Sequence, residues 1–296
     1  MPGVAKCGTT SLHDILVEHP RITGGRLKEI RFLMDAHDPL APRGSVERSG
    51  LRGWASHFRD RGQGDFDYWI DASPQYQYQD IAPRIVGQLG PEVRLLFIVR
   101  APSKRLASLY RYGRYDMKAI QGFDRFEDFI EAIRTDDDPR LMGRRMLRNG
   151  WRNTRYDLML EQWRAVVDPT RIYCLWLESL RDNREGELLK LAQWLGIDAE
   201  PLLAAEVTRA NQTRMTRSRA LLKVGRLLGG SFPDYPIVRA AKRAVNRLNS
   251  RDLPIEMTEN NRDTLDAIEK EFASNVERFN AMVSAVQPGF DARSFG

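Results

Sequence analysis

Several absences narrow the class of this chain before any motif is read. No apolar run approaches the roughly 18–20 residues of a membrane span. The N-terminus carries no basic stretch followed by an apolar one, so no signal peptide is visible. Cysteine is scarce: Cys7 and Cys174 are too few for a disulfide framework, and a reducing, cytoplasmic setting is expected. There are four histidines, and no His, Cys and Asp cluster has metal-ligand spacing, so no metal is expected. Glycine (22) and proline (15) sit near average usage, which excludes collagen-like and low-complexity chains. No repeat recurs at solenoid periods.

What remains is a globular composition, 42% hydrophobic and 29% charged over 296 residues. That length can bury a sizeable core. No linker is convincing enough to divide it, so a single domain over 1–296 is expected. Charge is uneven. Residues 214–251 hold ten Lys or Arg and one acid, Asp234, so the net +6 of the chain is local to this tract on a mildly acidic body. A general nucleic-acid coat is not suggested; an anionic ligand or surface facing the tract is.

Two apolar runs, Val93–Val99 and Arg171–Leu177, read as strands buried on both faces of a parallel sheet. Tyr68–Ile70 reads as a short strand. Helices are predicted from Leu12 until Pro20, from Pro102 through Tyr112, over Tyr156–Val167, over Glu185–Leu195 with Gly196 as its stop, and from Thr258. Residues 35–66 read as loop with short helices. Basic amphipathic helices are expected over 217–228 and 236–248. Strands alternating with helices predict an α/β domain, a three-layer parallel sheet with helices on both faces.

The chemistry concentrates in Gly3-Val4-Ala5-Lys6-Cys7-Gly8-Thr9-Thr10-Ser11-Leu12, a loop that opens a helix. Its glycines let the backbone turn around a phosphate, and the N–H groups and helix dipole behind them favour negative charge. It departs from a Walker A loop: Lys6 lies two residues before Gly8, and Thr9 occupies the Walker lysine position. ATP hydrolysis is therefore disfavoured. Arg100 ends a buried strand at the carboxyl edge, where open α/β sheets bind ligands. Arg can grip a terminal phosphate with two parallel hydrogen bonds, and Ser108, about two turns into the next helix, can donate to the same group.

Lys6-x-Gly8-Thr9-Thr10-Ser11-Leu12 resembles the 5′-phosphosulfate loop of sulfotransferases that use 3′-phosphoadenosine 5′-phosphosulfate (PAPS). Arg100-x-Pro102-x-x-Arg105-x-x-Ser108-x-Tyr110 is similar to their 3′-phosphate motif. Lys28-Glu29-Ile30-Arg31-Phe32-Leu33 and Asp71-Ala72-Ser73-Pro74-Gln75-Tyr76 resemble the Lys-Glu-x-His-Phe-Phe and Glu-Lys-Ser-Pro-x-Tyr segments of the heparan-type enzymes, and the resemblance runs from residue 3 to about 282. The P-loop-like sulfotransferase fold is implied. So is transfer of a sulfuryl group from PAPS, without a metal, to a hydroxyl or amine on a small-molecule, carbohydrate or lipid acceptor, releasing 3′,5′-ADP.

In that reading Lys6 neutralises charge on the bridging oxygen. Cys7, Gly8, Thr9, Thr10 and Ser11 bind the 5′-phosphate, Arg100 and Ser108 the 3′-phosphate, and Glu29 is the general base; His13, His19, His37 and His57 are rivals, His57 foremost. Arg214 or Arg217 would reach the 3′-phosphate from a closing loop, and the helix at 236–248 could lie on an anionic membrane surface. Arg31 stands where the family has His, and Ala72 where it has Lys, which sets this chain apart from the glycosaminoglycan enzymes. In the family a strand of about five to seven residues precedes the loop; two residues precede Gly3 here, so a truncated first strand or an upstream start is expected. A P-loop nucleotide kinase and a non-catalytic nucleotide-binding relative are the rival functions.

Overall fold

A computed structural model describes residues 1–42, 45–58, 65–117, 120, 122–205 and 261–295, and the backbone of 215–216 and 250–251. The helices are α1 (Thr9–Leu16), α2 (Val46–Ala55), α3 (Ile81–Gly87), α4 (Pro102–Arg111), α5 (Phe126–Thr135), α6 (Arg145–Arg148), α7 (Tyr156–Arg164), α8 (Leu177–Asp182), α9 (Arg184–Leu195), α10 (Glu200–Ala204) and α11 (Arg262–Ser284). The strands are β1 (Ile22–Gly24), β2 (Tyr68–Ile70), β3 (Leu95–Val99), β4 (Ile172–Trp176), β5 (Met215–Thr216) and β6 (Ser250–Arg251). The chain groups into two compact units. One comprises Met1–Arg105, Arg152–Ala210 and Leu265–Gly296; the other comprises Leu106–Trp151 and Asn211–Thr264, and the boundary falls within α4.

The first unit is built on parallel strands. β3 and β4 pair from Leu95 opposite Ile172 to Val99 opposite Trp176. On the other side of β3 the chain start pairs with it: the Val4 N–H donates to Ile98 O at 2.9 Å and the Ile98 N–H to Gly3 O at 3.1 Å. Every residue of β3 and β4 is buried. Alternation divides them between two cores. Leu95, Phe97, Val99, Cys174 and Trp176 pack with Ile81 of α3, Trp163 of α7 and Phe279 of α11. Leu96, Ile98, Tyr173 and Leu175 pack with Leu12 and Ile15 of α1 and Leu188 and Leu191 of α9. Two apolar faces require helices on both, which is the three-layer α/β arrangement expected from the continuous apolar runs.

A second parallel pair joins β1 and β2, with Ile22 opposite Tyr68 and Gly24 opposite Ile70. β1 was not expected: three residues are too few to show a period. α9 ends at Gly196 with φ 71°, the left-handed stop that glycine adopts without a Cβ penalty. α11 begins after Asn261; Thr258, its predicted start, lies outside the described residues.

The second unit holds the later half of α4 with α5 and α6. The Tyr110 ring packs beside Phe126 and Phe129 at centroid distances of 5.6 and 5.4 Å, and its hydroxyl donates to Phe123 O at 2.9 Å. β5 and β6 pair antiparallel. The basic helices expected over 217–228 and 236–248 lie outside the described residues. No helix among the described residues is long and apolar enough to cross a membrane.

Candidate functional site

The segments singled out in the first unit follow the carboxyl ends of parallel strands. Residues 5–8 follow the Gly3–Val4 pairing, Arg100 follows β3, Glu178 follows β4, Lys28–Arg31 lie just beyond β1, and Asp71–Tyr76 follow β2. This is the edge at which loops are free to leave the sheet and collect around a ligand.

The loop enters α1 through two left-handed residues, Lys6 at φ 71° and Gly8 at φ 92°. A Cβ on Gly8 would stand 2.8 Å from the Leu177 side chain, so glycine is required by both dihedral and space. Gly8 makes no side-chain cap. The first N–H groups of α1, on Thr9, Thr10 and Ser11, have no helical acceptor behind them, which leaves an end suited to an anion. Thr9 is buried; Lys6, Thr10 and Ser11 are partly exposed.

Cys7 differs from its neighbours. Its N–H donates to Val4 O, its thiol packs by the Tyr156 hydroxyl, and burial pushes the thiol up to about 11. The thiol therefore stays protonated, and Cys7 shapes the loop from the core side instead of offering a donor to a ligand.

A fully buried arginine fixes the loop from behind. Arg105 donates through Nε to Ala5 O at 3.2 Å and through Nη1 to Thr154 Oγ1 at 2.6 Å. It is the second arginine of the motif that begins at Arg100, yet its side chain serves the loop backbone. Sequence spacing could flag the residue but not its direction.

Arg100 is nearly covered, with 14% of its side chain exposed. Its Nε is buried with no hydrogen-bond partner and lies 3.9 Å from Glu178 Oε1. Burial pushes the guanidinium below its ordinary value; Arg181 adds to this, and Glu178 opposes it. The Arg100 carbonyl accepts from the Tyr156 hydroxyl at 2.8 Å. Two carboxylates occupy the start of α4: Glu178 accepts from the Ala101 N–H, and Glu269 of α11 from the Ser103 N–H and hydroxyl. That helix end is thus already neutralised by carboxylates. Glu269 carries no motif signal, and neither carboxylate was given a role from the sequence. Ser108 is buried on α4 and belongs to the second unit.

Glu29 is half-buried. Its Oε2 accepts from Arg31 Nη2 and Gln75 Nε2, both at 2.9 Å, and its Oε1 faces Lys28 Nζ at 3.5 Å. Burial pushes the carboxyl up, but Lys28, Gln75 and Arg31 outweigh it and hold it below the usual range. Ser73 and Tyr76 brace this segment. The Arg31 N–H, on a residue at φ 59°, donates to Ser73 Oγ at 2.9 Å, and the Leu33 N–H to the Tyr76 hydroxyl at 3.2 Å. Both hydroxyls in turn donate to the buried Asp71 carboxylate at 2.6 Å.

The histidines separate. His19 is held through both ring nitrogens, Nδ1 accepting from the Arg21 N–H and Nε2 bonding Asp198 O, so its role is structural. His13 is buried beside Asp14, and His37 is exposed. His57 packs its ring edge against Phe32 at 5.9 Å. Arg214 and Arg217 lie outside the described residues. Among the described residues no group of three or more His, Cys, Asp or Glu is arranged to hold a metal ion.

No protein-family model matches the chain. It is similar to bifunctional heparan sulfate N-deacetylase/N-sulfotransferase 4 of Mus musculus, 23% identical over 201 residues, which cover 66% of this chain and 22% of that protein. It is also similar to the human enzymes numbered 3 (24% over 201 residues, 66% and 22%) and 1 (23% over 266 residues, 86% and 28%). The chain thus matches only about a quarter of the length of these relatives. Among solved structures, a sulfotransferase from Alicyclobacillus acidocaldarius aligns at a TM-score of 0.61 and 16% identity, covering 96% of this chain and 94% of that one, which shows the shared fold. In motifs, fold and relatives alike, this chain is similar to sulfotransferases.

Proposed function

We propose that this chain moves a sulfuryl group from PAPS to a hydroxyl or amine acceptor by in-line displacement, releasing 3′,5′-ADP. The observation that carries the reading is Arg100: a nearly covered guanidinium with an unpartnered buried Nε at a strand's carboxyl edge. A buried donor without an acceptor is costly unless a ligand completes it. A terminal phosphate would do so.

The uncapped start of α1, with Gly8, Thr9, Thr10 and Ser11, suits the 5′-phosphate. Lys6, in the turn before it, would neutralise the bridging oxygen as it takes charge. Ser108 is assigned to the 3′-phosphate by the sequence motif alone. Sulfuryl transfer, like phosphoryl transfer, asks for position and charge stabilisation more than for covalent chemistry. Glu29 Oε1 is the loosely held oxygen of its carboxylate and would accept the acceptor proton; Oε2 is anchored by its two bonds.

The curated relatives are named as N-sulfotransferases, so amines stand beside hydroxyls as acceptor candidates. Thermal shift separates donors, because a ligand stabilises only the state it binds. 3′,5′-ADP should raise the melting temperature and ATP with Mg²⁺ should not. Transfer of labelled sulfate from PAPS to a panel of sugars, lipids, phenols and amines then tests catalysis. Stabilisation by ATP–Mg²⁺ alone would reinstate the kinase reading; binding of 3′,5′-ADP without transfer to any acceptor would favour a non-catalytic relative.

A further inference from the structure

Lys28 lies four residues beyond β1 and reaches back to the start of α1. Its side chain is four-fifths covered, with 20% exposed. Its ammonium has three polar neighbours: Thr9 Oγ1 at 3.5 Å, Glu29 Oε1 at 3.5 Å and Ala72 O at 3.4 Å. All three stand at the outer limit of hydrogen bonding; a charged N–H to carboxylate bond closes to about 2.7–2.9 Å. Its carboxylate neighbour is shared, because Glu29 gives its other oxygen to Arg31 and Gln75 at 2.9 Å. Glu29 is the one carboxylate that Lys28 and Arg31 both touch; Asp14 and Asp71 act on Lys28 only from further off. A buried cation held by long contacts is a poor structural element, since desolvation is unfavourable and no short bond offsets it. It suits a group whose strong partner arrives with substrate.

We propose that Lys28 is a second catalytic cation, binding the non-bridging oxygens of the sulfuryl group as it moves. This rests on the sulfuryl-transfer reading above. Its ammonium touches both sides of that reaction, Thr9 at the phosphate-binding helix start and Glu29 at the base. A group passing from donor to acceptor travels between those two side chains. The step balances. An acceptor lone pair forms the new bond to sulfur, and the bond from sulfur to the 5′-phosphate oxygen breaks. Its electron pair leaves on 3′,5′-ADP, and the acceptor proton goes to Glu29 Oε1. Lys28 remains protonated throughout and donates hydrogen bonds, while Lys6 meets the leaving oxygen.

The test is Lys28→Met, which keeps length and removes charge. We expect transfer to fall about 100- to 1000-fold, the loss typical of one preorganised donor. Affinity for 3′,5′-ADP, which lacks the sulfuryl group, should stay within about threefold, and the melting temperature should not fall. Near-parent transfer by Lys28→Met overturns the assignment. So does a loss of 3′,5′-ADP affinity and melting temperature in step with rate, which would mark a structural role; Lys28→Gln, smaller and polar, gives an independent check if Met packs badly. A parent protein that neither binds 3′,5′-ADP nor transfers sulfate overturns both readings, whereas a working parent with an unimpaired Lys28→Met overturns Lys28 alone.

Discussion

Residues 3–8 are held mainly through their main chain, whereas residues 28–33 are held largely by side chains. The loop pairs with β3 through Gly3 and Val4, and Arg105 grips the Ala5 carbonyl from the core. Its placement depends on a buried sheet, one buried guanidinium and a glycine with no room for a Cβ. Residues 28–33 share one main-chain bond with residues 71–76, from the Ala72 N–H to Lys28 O. A second main-chain bond runs from the Val46 N–H to Phe32 O, and the side-chain anchors are Ser73, Gln75 and Tyr76, with Asp71 behind two of these. A main-chain scaffold tolerates changes of polar side chain; a side-chain network does not, because each deleted partner strands another buried group. The two sides therefore differ in what should break them.

The largest expected effect is on the side-chain-held part. Glu29→Gln should keep the bonds to Arg31 and Gln75, and with them affinity for 3′,5′-ADP, while turnover falls about 10²–10⁴-fold, the usual contribution of a general base. The sign of the pH effect follows from the depressed carboxyl. Glu29 is ionised above its pKa, and its contribution is lost as pH falls through that value, so the acidic limb of the parent profile should lie below the ordinary glutamate range. The variant should show no such limb. Turnover close to the parent's would move the base elsewhere, with His57 next to be changed.

On the main-chain-held side, Arg105→Met should leave Ala5 O and Thr154 without their partner. A loss of about 2–3 kcal/mol in unfolding free energy is expected, together with weaker 3′,5′-ADP binding. Denaturant titration measures the first and calorimetry the second; unchanged stability would show that the sheet pairing alone holds the loop. Arg100→Ala should weaken 3′,5′-ADP about 10- to 100-fold, the worth of a bidentate charged contact of about 1.5–3 kcal/mol. Here the melting temperature of the free protein should fall only slightly, because Nε has no hydrogen bond to lose and gives up only its 3.9 Å ion pair with Glu178. Equal affinity in parent and variant would remove Arg100 from the site.

The smallest effect sharpens the comparison most. Tyr76→Phe removes one hydroxyl that joins the Leu33 N–H to Asp71. About 1–2 kcal/mol of stability should go, and the acceptor KM should rise while 3′,5′-ADP affinity is kept. A variant that lost nucleotide affinity instead would show the two sides to be one mechanical unit.

Much of this was legible in the sequence for definite reasons. Leu95–Val99 and Ile172–Trp176 are continuous apolar runs, and only a strand covered on both faces needs that pattern. Pro102 and Gly196 mark their helix ends by chemistry that no neighbour alters. α5 carries apolar residues at 126, 129, 130 and 133, a helical spacing present in the sequence though not singled out there. β1 could not be seen, being three residues long.

The Gly/Thr loop before α1 and the position of Arg100 belong to what the sequence by itself determined, because a tight turn onto a helix and a cation at a strand end are local features with local spacing. The tertiary structure alone decided which way the remaining charges face. Lys28 meets Thr9 across 19 residues, Glu178 meets the Ala101 N–H across 77, and Arg105 turns to Ala5 across 100. Such meetings follow from the order in which parallel strands lie side by side, and strand order leaves no period in the chain. The sequence fixes the kinds of group available; packing against the sheet edge sets which of them share a charge and which are left with one to give.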